Sequence, residues 1–571
     1  MKVFARLTRC VLAASLIHLP MLALRAQSAA LPLKHAPQPT TAPITTADLM
    51  TRLYIFADDS MMGREVGTPY HLKATSYIER EVRKLGLVPA GDSGTYFQNL
   101  PVYSHPLSPS SSIASGDKKF LPGSDFVPRD NSVFGGKVRS IDGTQVIFGG
   151  TLAPQSDSSA IVSREAAAGK FVVIAVPNGP NGKPMVAGYR QPLTGYYLGA
   201  AAVAVVAFDG FTPDERQALL EPTQTMAGEA SNDLMLPAFL YITPAMAQAM
   251  LGAPIASLAK GATGTTLHGA ITYDSTLAPG RNVVAILPGS DPKLKNEYVA
   301  IGAHNDHIGF DHAPVDHDSL RAYNTVVRPG GADDPDRPAT AEEMTRVRQI
   351  LDSLRKIHPP RLDSINNGAD DDGTGTVATL EIAEAMAKGT KKPKRSILFV
   401  WHAGEEKGLW GSEYFTDHPT VPRDSIVAQL NMDMIGRGGP QDVKGGGPGY
   451  LQLIGSRRLS TELGDIVEAV GKAEPTPFHF DYSYDANGHP QQYYCRSDHY
   501  EYARYGIPIT FFSTGGHRDY HQVTDEPQYI DYAQVARVAN LVYDVALRVA
   551  DLDHRVVVDK PKPDPHGQCK Q

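Results

Sequence analysis

The chain is 571 residues long, 42% apolar and 20% charged, with 52 Gly and 44 Pro; at about 150 residues per domain this allows roughly three to four structural units and excludes a small module, a disordered chain and a fibre. Its 54 basic and 62 acidic side chains leave a net charge of −8 without any long block of like charge, which argues against nucleic acid or an anionic membrane as partner. Cys10, Cys495 and Cys569 are too few for a disulfide scaffold, and a single Cys495 to Cys569 bridge stays open.

Lys2, Arg6 and Arg9 precede an apolar run from Val11 to Leu24, and Ala26, Ser28, Ala29 and Ala30 follow it. Charged, apolar and small residues in that order are the pattern of a secretory signal. Residues 1–26 are read as a signal peptide, and the mature chain is expected to be extracytoplasmic, periplasmic or secreted. His18 and Pro20 interrupt the run, which falls short of the ~20 residues of a spanning helix; no stable membrane span is expected in the mature chain. Residues 27–44, rich in Pro and Thr, read as a linker. Capping residues at Thr45 and Thr46 open a first helix, and a second is expected from about Pro69 to Leu85, both in the N-terminal part (45–101) of a domain that resumes at 278. Met62-Gly63-Arg64-Glu65-Val66-Gly67-Thr68 between them suits a plain turn as well as a functional loop.

From 102 to 277 the texture changes to short β-like runs such as Phe171 to Val176 and Ala202 to Ala207, separated by Gly, Ser, Pro and Asp. This stretch reads as an inserted β-rich domain, a lid or docking module, because His, Cys, Asp and Glu do not cluster there at ligand spacing. Residues 278–552 alternate apolar strands (Asn282 to Leu287, Tyr298 to Ala303, Ser396 to Trp401, Ile426 to Leu430) with a helix from about Thr376 to Lys388. That alternation predicts an α/β fold with a mostly parallel central sheet flanked by helices, in which ligands bind beyond the carboxyl ends of the strands. A polar insertion at about 311–365, with a helix over Ala339 to Ile357, interrupts the domain, and 553–571 form a tail.

The strands of this half run straight into metal-capable side chains. Ala303 leads into His304-Asn305-Asp306-His307, Trp401 into His402-Ala403-Gly404-Glu405-Glu406, and Leu430 into Asn431-Met432-Asp433. Gly368-Ala369-Asp370-Asp371-Asp372-Gly373 precedes the helix, and His517-Arg518-Asp519-Tyr520-His521 follows a strand at Ile507 to Phe512. Imidazoles with several carboxylates and no thiolate suit zinc, ahead of manganese or cobalt. A calcium loop with Gly373 at its sixth position would place Gly368 first and Thr379 twelfth, where acidic residues are required. The sequence contains no G-x-S-x-G, no G-x-x-x-x-G-K-[ST] and no H-E-x-x-H, which removes weight from serine esterase, nucleotide hydrolase and thermolysin-like chemistry. Paired metals that generate a hydroxide need a bridging carboxylate, and adjacent glutamates divide naturally into one ligand and one proton shuttle.

Taken in order, His304-Asn305-Asp306-His307, Gly368 to Gly373, Glu405-Glu406, Asn431-Met432-Asp433-Met434 and Asp519-Tyr520-His521 resemble the co-catalytic di-zinc aminopeptidase family, whose relatives include glutamate carboxypeptidases and glutaminyl cyclases. The resemblance runs from about Thr45 to Ala550; Met62-Gly63-Arg64 and Pro89-Ala90-Gly91 are similar to the family's N-terminal signature, and Gly169 to Ala207 is similar to its inserted protease-associated domain. It implies two zinc ions per chain, one held by His304 and Asp433, the other by Glu406 and His521, with Asp371 bridging. It also implies Glu405 as general base to a metal-bridging hydroxide, Asp306 orienting His304, and Tyr520 donating to the developing oxyanion. The expected substrate is a peptide and the expected activity removal of its N-terminal residue; a carboxypeptidase or dipeptidase, a glutaminyl cyclase and a non-catalytic binding relative are the alternatives. Gly331-Ala332-Asp333-Asp334 mimics the bridging motif but runs into Pro335 and is rejected. His312 and His317 are expected to be solvated loop residues, and His402, His499, His517 and Asp498 to be supporting groups.

Overall fold

A computed structural model of the chain describes residues 31–129, 139–152, 158–179, 182–185, 190–227, 236–357 and 359–571; the signal expected at 1–26 lies outside the described residues. The half that carries the five motifs is built on a nine-stranded sheet among those residues. Its centre is four adjacent parallel strands, Ser396–His402, Tyr298–His304, Ile426–Met432 and Ile509–Ser513. Antiparallel neighbours flank this centre, Arg281–Leu287 on one side and Tyr450–Ile454 on the other, so the sheet as a whole is mixed.

The central strands are apolar at nearly every position because both faces are covered. Successive side chains point to opposite faces. Ile397, Phe399 and Trp401 therefore join a core with the helices Thr46–Phe56, Gly375–Lys388 and Tyr532–Ala550, while Leu398 and Val400 pack on the other side with Phe415, Tyr502 and Phe511. The register pairs His304 with His402 and Gly302 with Asn431, so the polar residues after these strands emerge at one level.

Residues 112–271 carry a second nine-stranded sheet. The chain enters and leaves it through Val102–His105 and Thr276–Ala278, which pair antiparallel with each other just beyond the pairing of Phe97–Asn99 with Arg281–Val283. Helices Arg164–Ala167, Pro213–Ala218 and Pro244–Leu251 accompany its strands in this β-rich part.

Three stretches read only in outline from the sequence gain detail. Residues 31–44 do not hang as a linker: Leu31 and Ile44 pack on the main core, and Thr40 Oγ1 donates to Glu384 at 2.8 Å. The tail is tied down by a Cys495–Cys569 disulfide and by Gln571, which accepts from the Tyr494 amide at 2.8 Å. The insertion holds a second helix, His317–Val327, besides Ala341–Leu354, and its ends pair as the strands Phe310–Asp316 and Leu362–Ile365. Among the described residues, no helix is long and apolar enough to cross a membrane.

Candidate metal centre

At the carboxyl edge of the main sheet the five loops converge. His304 ends its strand with Nε2 3.0 Å from Asp371 Oδ1, 3.7 Å from Asp433 and 3.9 Å from Glu405. The other Asp371 oxygen lies 3.1 Å from His521 Nε2 and 3.8 Å from His307 Nδ1. Glu406 closes this second group, 2.6 Å from His307 Nδ1 and 2.9 Å from His521 Nε2. Asp371 thus divides its two oxygens between two clusters, one with His304 and Asp433, the other with His307, Glu406 and His521.

The surrounding chain explains why Asp371 is the member of its triplet turned inward. Asp370 accepts from the Gly436 amide at 2.7 Å and from Thr374 Oγ1 at 2.8 Å. Asp372 accepts from the His304 amide at 3.0 Å and caps the following helix through the Gly375 amide at 2.9 Å. Asp372 also stands within ligand range of His304 and Asp433, but these backbone contacts already occupy its oxygens. Asp525 accepts from the amides of Asp370 and Asp371, and the buried Arg64 guanidinium donates to the carbonyls of Asn367 and Gly368 at 2.5 and 2.9 Å. The Met62-Gly63-Arg64 loop is therefore a brace for the Asp371 turn; a Cβ on Gly63 would stand 2.1 Å from the Gly309 carbonyl oxygen.

Supporting contacts differ in detail from those expected. His304 Nδ1 donates to the Asp306 carbonyl oxygen at 3.2 Å, while the Asp306 carboxylate, 3.8 Å away, instead accepts from the Glu405 amide at 3.2 Å. A carbonyl serves as well as a carboxylate to orient a ligating imidazole. Ser497 Oγ donates to Asp433 at 2.7 Å. His402 and His517 contact Asp498 and Asp370 at 3.4 and 3.2 Å, and His499 stacks on Phe511, so none of the three enters the cluster. His312 is mostly covered, 3.4 Å from Glu221, and His317 is buried at the start of its helix, 2.7 Å from Glu526; neither is the solvated loop residue expected.

Electrostatics divides the two glutamates. Burial raises the Glu405 carboxyl well above the usual range against the pull of His304, with Asp433 and Glu406 adding to the rise. Glu406 is equally buried, yet His521 and His307 outweigh burial and Asp371 and hold it at about 2. Burial lifts Asp306 to about 6. Burial opposes charge on His521 as well, but Glu406 and Asp371 push it up to about 11.

The donor set fits a pair of cations. Nε2 of His304 and of His521 is buried and without hydrogen-bond geometry toward the oxygens that crowd it. With the imidazoles as neutral ligands, Asp371, Glu406 and Asp433 bring negative charge to a buried site, where divalent ions would offset a charge that is otherwise costly. Zinc matches imidazole and carboxylate ligands.

The cleft beside the cluster is lined by Glu405, Asp433, Tyr520, Tyr493, Arg496 and Asp333, among others. His307 stood in a recognised motif without a role; its position three residues after His304, in the segment that leaves the strand, is the signal for it. Ser497 and Arg496 come from a distant loop, and Asp333 belongs to the Gly331 to Asp334 stretch rejected as a bridging motif, which reaches the cleft in another role.

Residues 350–546 match the profile of Peptidase family M28. Leupeptin-inactivating enzyme 1 of Streptomyces exfoliatus is 39% identical over 82 residues, 14% of this chain and 19% of that protein. Leucine aminopeptidase 1 of Aspergillus fumigatus is 27% identical over 197 residues, 32% of this chain and 47% of that protein; the chain thus spans less than half the length of either relative. A solved zinc aminopeptidase from Bacillus subtilis aligns over 89% of this chain and 95% of its own at 14% identity, with a TM-score of 0.47. The matched stretch holds Asp371, Glu405, Glu406, Asp433 and His521, so this part of the chain is similar to Peptidase family M28.

Proposed function

We propose that the protein is an exported exopeptidase that carries two zinc ions and releases N-terminal residues from peptides. The observation that carries this reading is the Asp371 carboxylate, shared between two ligand clusters with Glu405 beside it. His304, Asp433 and Asp371 would hold one ion and His307, Glu406, His521 and Asp371 the other. Zinc, when bound, acidifies a water molecule and polarises the scissile carbonyl.

The chain's own groups do the rest. Glu405, whose burial raises its proton affinity, takes the proton from the attacking water and passes it to the leaving amine. Tyr520 donates its hydroxyl to the carbonyl oxygen as negative charge develops. Asp306 and Ser497 keep His304 and Asp433 in place. Four carboxylates (Asp333, Asp371, Glu405, Asp433) and one guanidinium line the cleft, and that guanidinium, Arg496, already faces Asp333 at 3.1 Å. With Arg496 already paired to Asp333, the lining offers, among the described residues, no free side-chain cation to a substrate carboxylate, which supports an aminopeptidase over a carboxypeptidase or dipeptidase. The full double ligand set argues against a one-zinc cyclase. Export is supported by the Cys495–Cys569 bridge, since disulfides persist in oxidising compartments. The neck of paired strands at 102–105 and 276–278 supports reading 102–277 as a protease-associated-like insertion.

Metal content by plasma mass spectrometry, with hydrolysis of free and N-terminally blocked peptides, tests the proposal. Two zinc ions per chain and cleavage of free amino termini alone are expected. One ion or none, with no peptide cleaved, would overturn it.

A further inference from the structure

The insertion at 311–365 reaches the cleft itself. Its short turn Gly331–Asp333 lies against the loop that carries Tyr520 and His521: the Ala332 amide donates to the Tyr520 carbonyl oxygen at 3.1 Å. The fit requires glycine at 331, where φ is +61° and a Cβ would stand 2.6 Å from the His517 carbonyl oxygen and 2.7 Å from that of Tyr520. From this turn Asp333 Oδ1 faces Arg496 Nη1 at 3.1 Å, and Arg496 Nη2 donates to the Tyr520 hydroxyl oxygen at 3.0 Å. The Tyr493 hydroxyl approaches the second Asp333 oxygen at 3.4 Å. Asp333, Arg496 and Tyr520, from three separate stretches of chain, thus form a line along the cleft wall.

A guanidinium has donors only, whereas a phenol has one O–H and accepts through its oxygen. With Arg496 donating to that oxygen, the Tyr520 proton cannot point at Arg496 and is left for an acceptor elsewhere. The adjacent positive charge also polarises the O–H bond, as happens along a hydrogen-bonded chain. Asp333 fixes the planar fork that makes the contact. We propose that Asp333 and Arg496 are positioning residues that aim the Tyr520 hydroxyl at the oxygen of the scissile carbonyl, so that one turn of the insertion completes the oxyanion-stabilising wall of the cleft. The inference rests on the peptidase reading above. Asp333 and Arg496 act through Tyr520, without touching the reacting atoms.

The test uses the full zinc-loaded protein and the variants Tyr520→Phe, Arg496→Lys, Asp333→Asn and the double variant Y520F/R496K. An aminoacyl anilide reports kcat and KM, calorimetry reports binding of an aminoalkyl boronic acid that mimics the tetrahedral state, and mass spectrometry reports zinc. Y520F should lower kcat by about 10²-fold, the worth of one oxyanion donor. R496K should lower it by about 10-fold and D333N by less, with KM within about twofold, both zinc ions retained and boronic acid affinity falling in step. In the Y520F background R496K should cost nothing further, because groups that act through one contact are not additive. Full additivity, an unchanged Y520F, or an R496K effect on KM alone would overturn the proposal; the last would make Arg496 a direct binder of substrate carboxylate. Should R496K not fold, D333N combined with Y520F carries the same expectation. A wild-type protein that cleaves no peptide would instead remove the parent reading.

Discussion

Both sheets of this molecule have four adjacent parallel strands at their centre, yet among the described residues only one brings clustered imidazoles and carboxylates to the ends of those strands. In the second sheet these are Thr144–Thr151, Phe171–Ala175, Ala202–Val206 and Ala238–Ile242, and the residues that follow them are Leu152, Val176, Ala207 and Thr243. In the main sheet the strands end at, or one residue before, His304, His402 and Asp433, and the loop after Ile509–Ser513 brings His521. Parallel architecture supplies a level edge with strand ends side by side. What stands on that edge is a separate decision of the sequence, so a fold of this kind predicts where a site is and not whether there is one.

The contrast can be broken or sharpened by substitution on each side. The largest effect is expected from Glu405→Gln, which should keep both ions and lower kcat by about 10²- to 10⁴-fold; steady-state kinetics with metal analysis checks this, and retained activity would move the base elsewhere. On the other sheet, Leu240→Ala empties a fully buried position and should cost about 2–5 kcal/mol of that sheet's stability in a urea titration. It should leave kcat unchanged while the protein stays folded; a matching fall in kcat would show that the second sheet shares in the chemistry. Cys569→Ser frees the tail from the loop that carries Tyr493 and Arg496. It should cost about 2–4 kcal/mol, seen as a lower Tm, and an unchanged Tm would leave the Gln571 hydrogen bonds sufficient to hold the tail. The smallest effect is expected from His307→Gln, which should weaken one of the two ions by about 10- to 100-fold in a competition titration with a chelator. Equal affinity for both ions in the variant and the wild type would restrict His307 to pairing with Glu406.

The elements that lie nearest the site were legible because their signals are local. Strand after strand of the main sheet is apolar at nearly every position, a consequence of burial on both faces, and the helix Gly375–Lys388 is announced by the glycine-flanked turn before it. The helix His317–Val327 was missed because its polar, histidine-led start reads as loop, although Asp316 caps it through the Ser319 amide at 2.9 Å. His317 owes its burial to Glu526, more than 200 residues away in sequence, and no window along the chain contains both.

The sequence by itself determined the alternation of strand and helix and the five short motifs that bring imidazoles and carboxylates to the strand ends, because periodicity and motif are properties of a few neighbouring residues. Only the tertiary structure decided which backbone amides hold the neighbours of Asp371, that His307 joins Glu406, and that a turn of the insertion stands against Tyr520 through Arg496. The reason is physical. Which oxygen of a triple aspartate points inward depends on the amides of Gly436, His304 and Gly375 that occupy the others, and the Asp333 to Arg496 pair joins residues that meet only after the sheet has set its loops side by side.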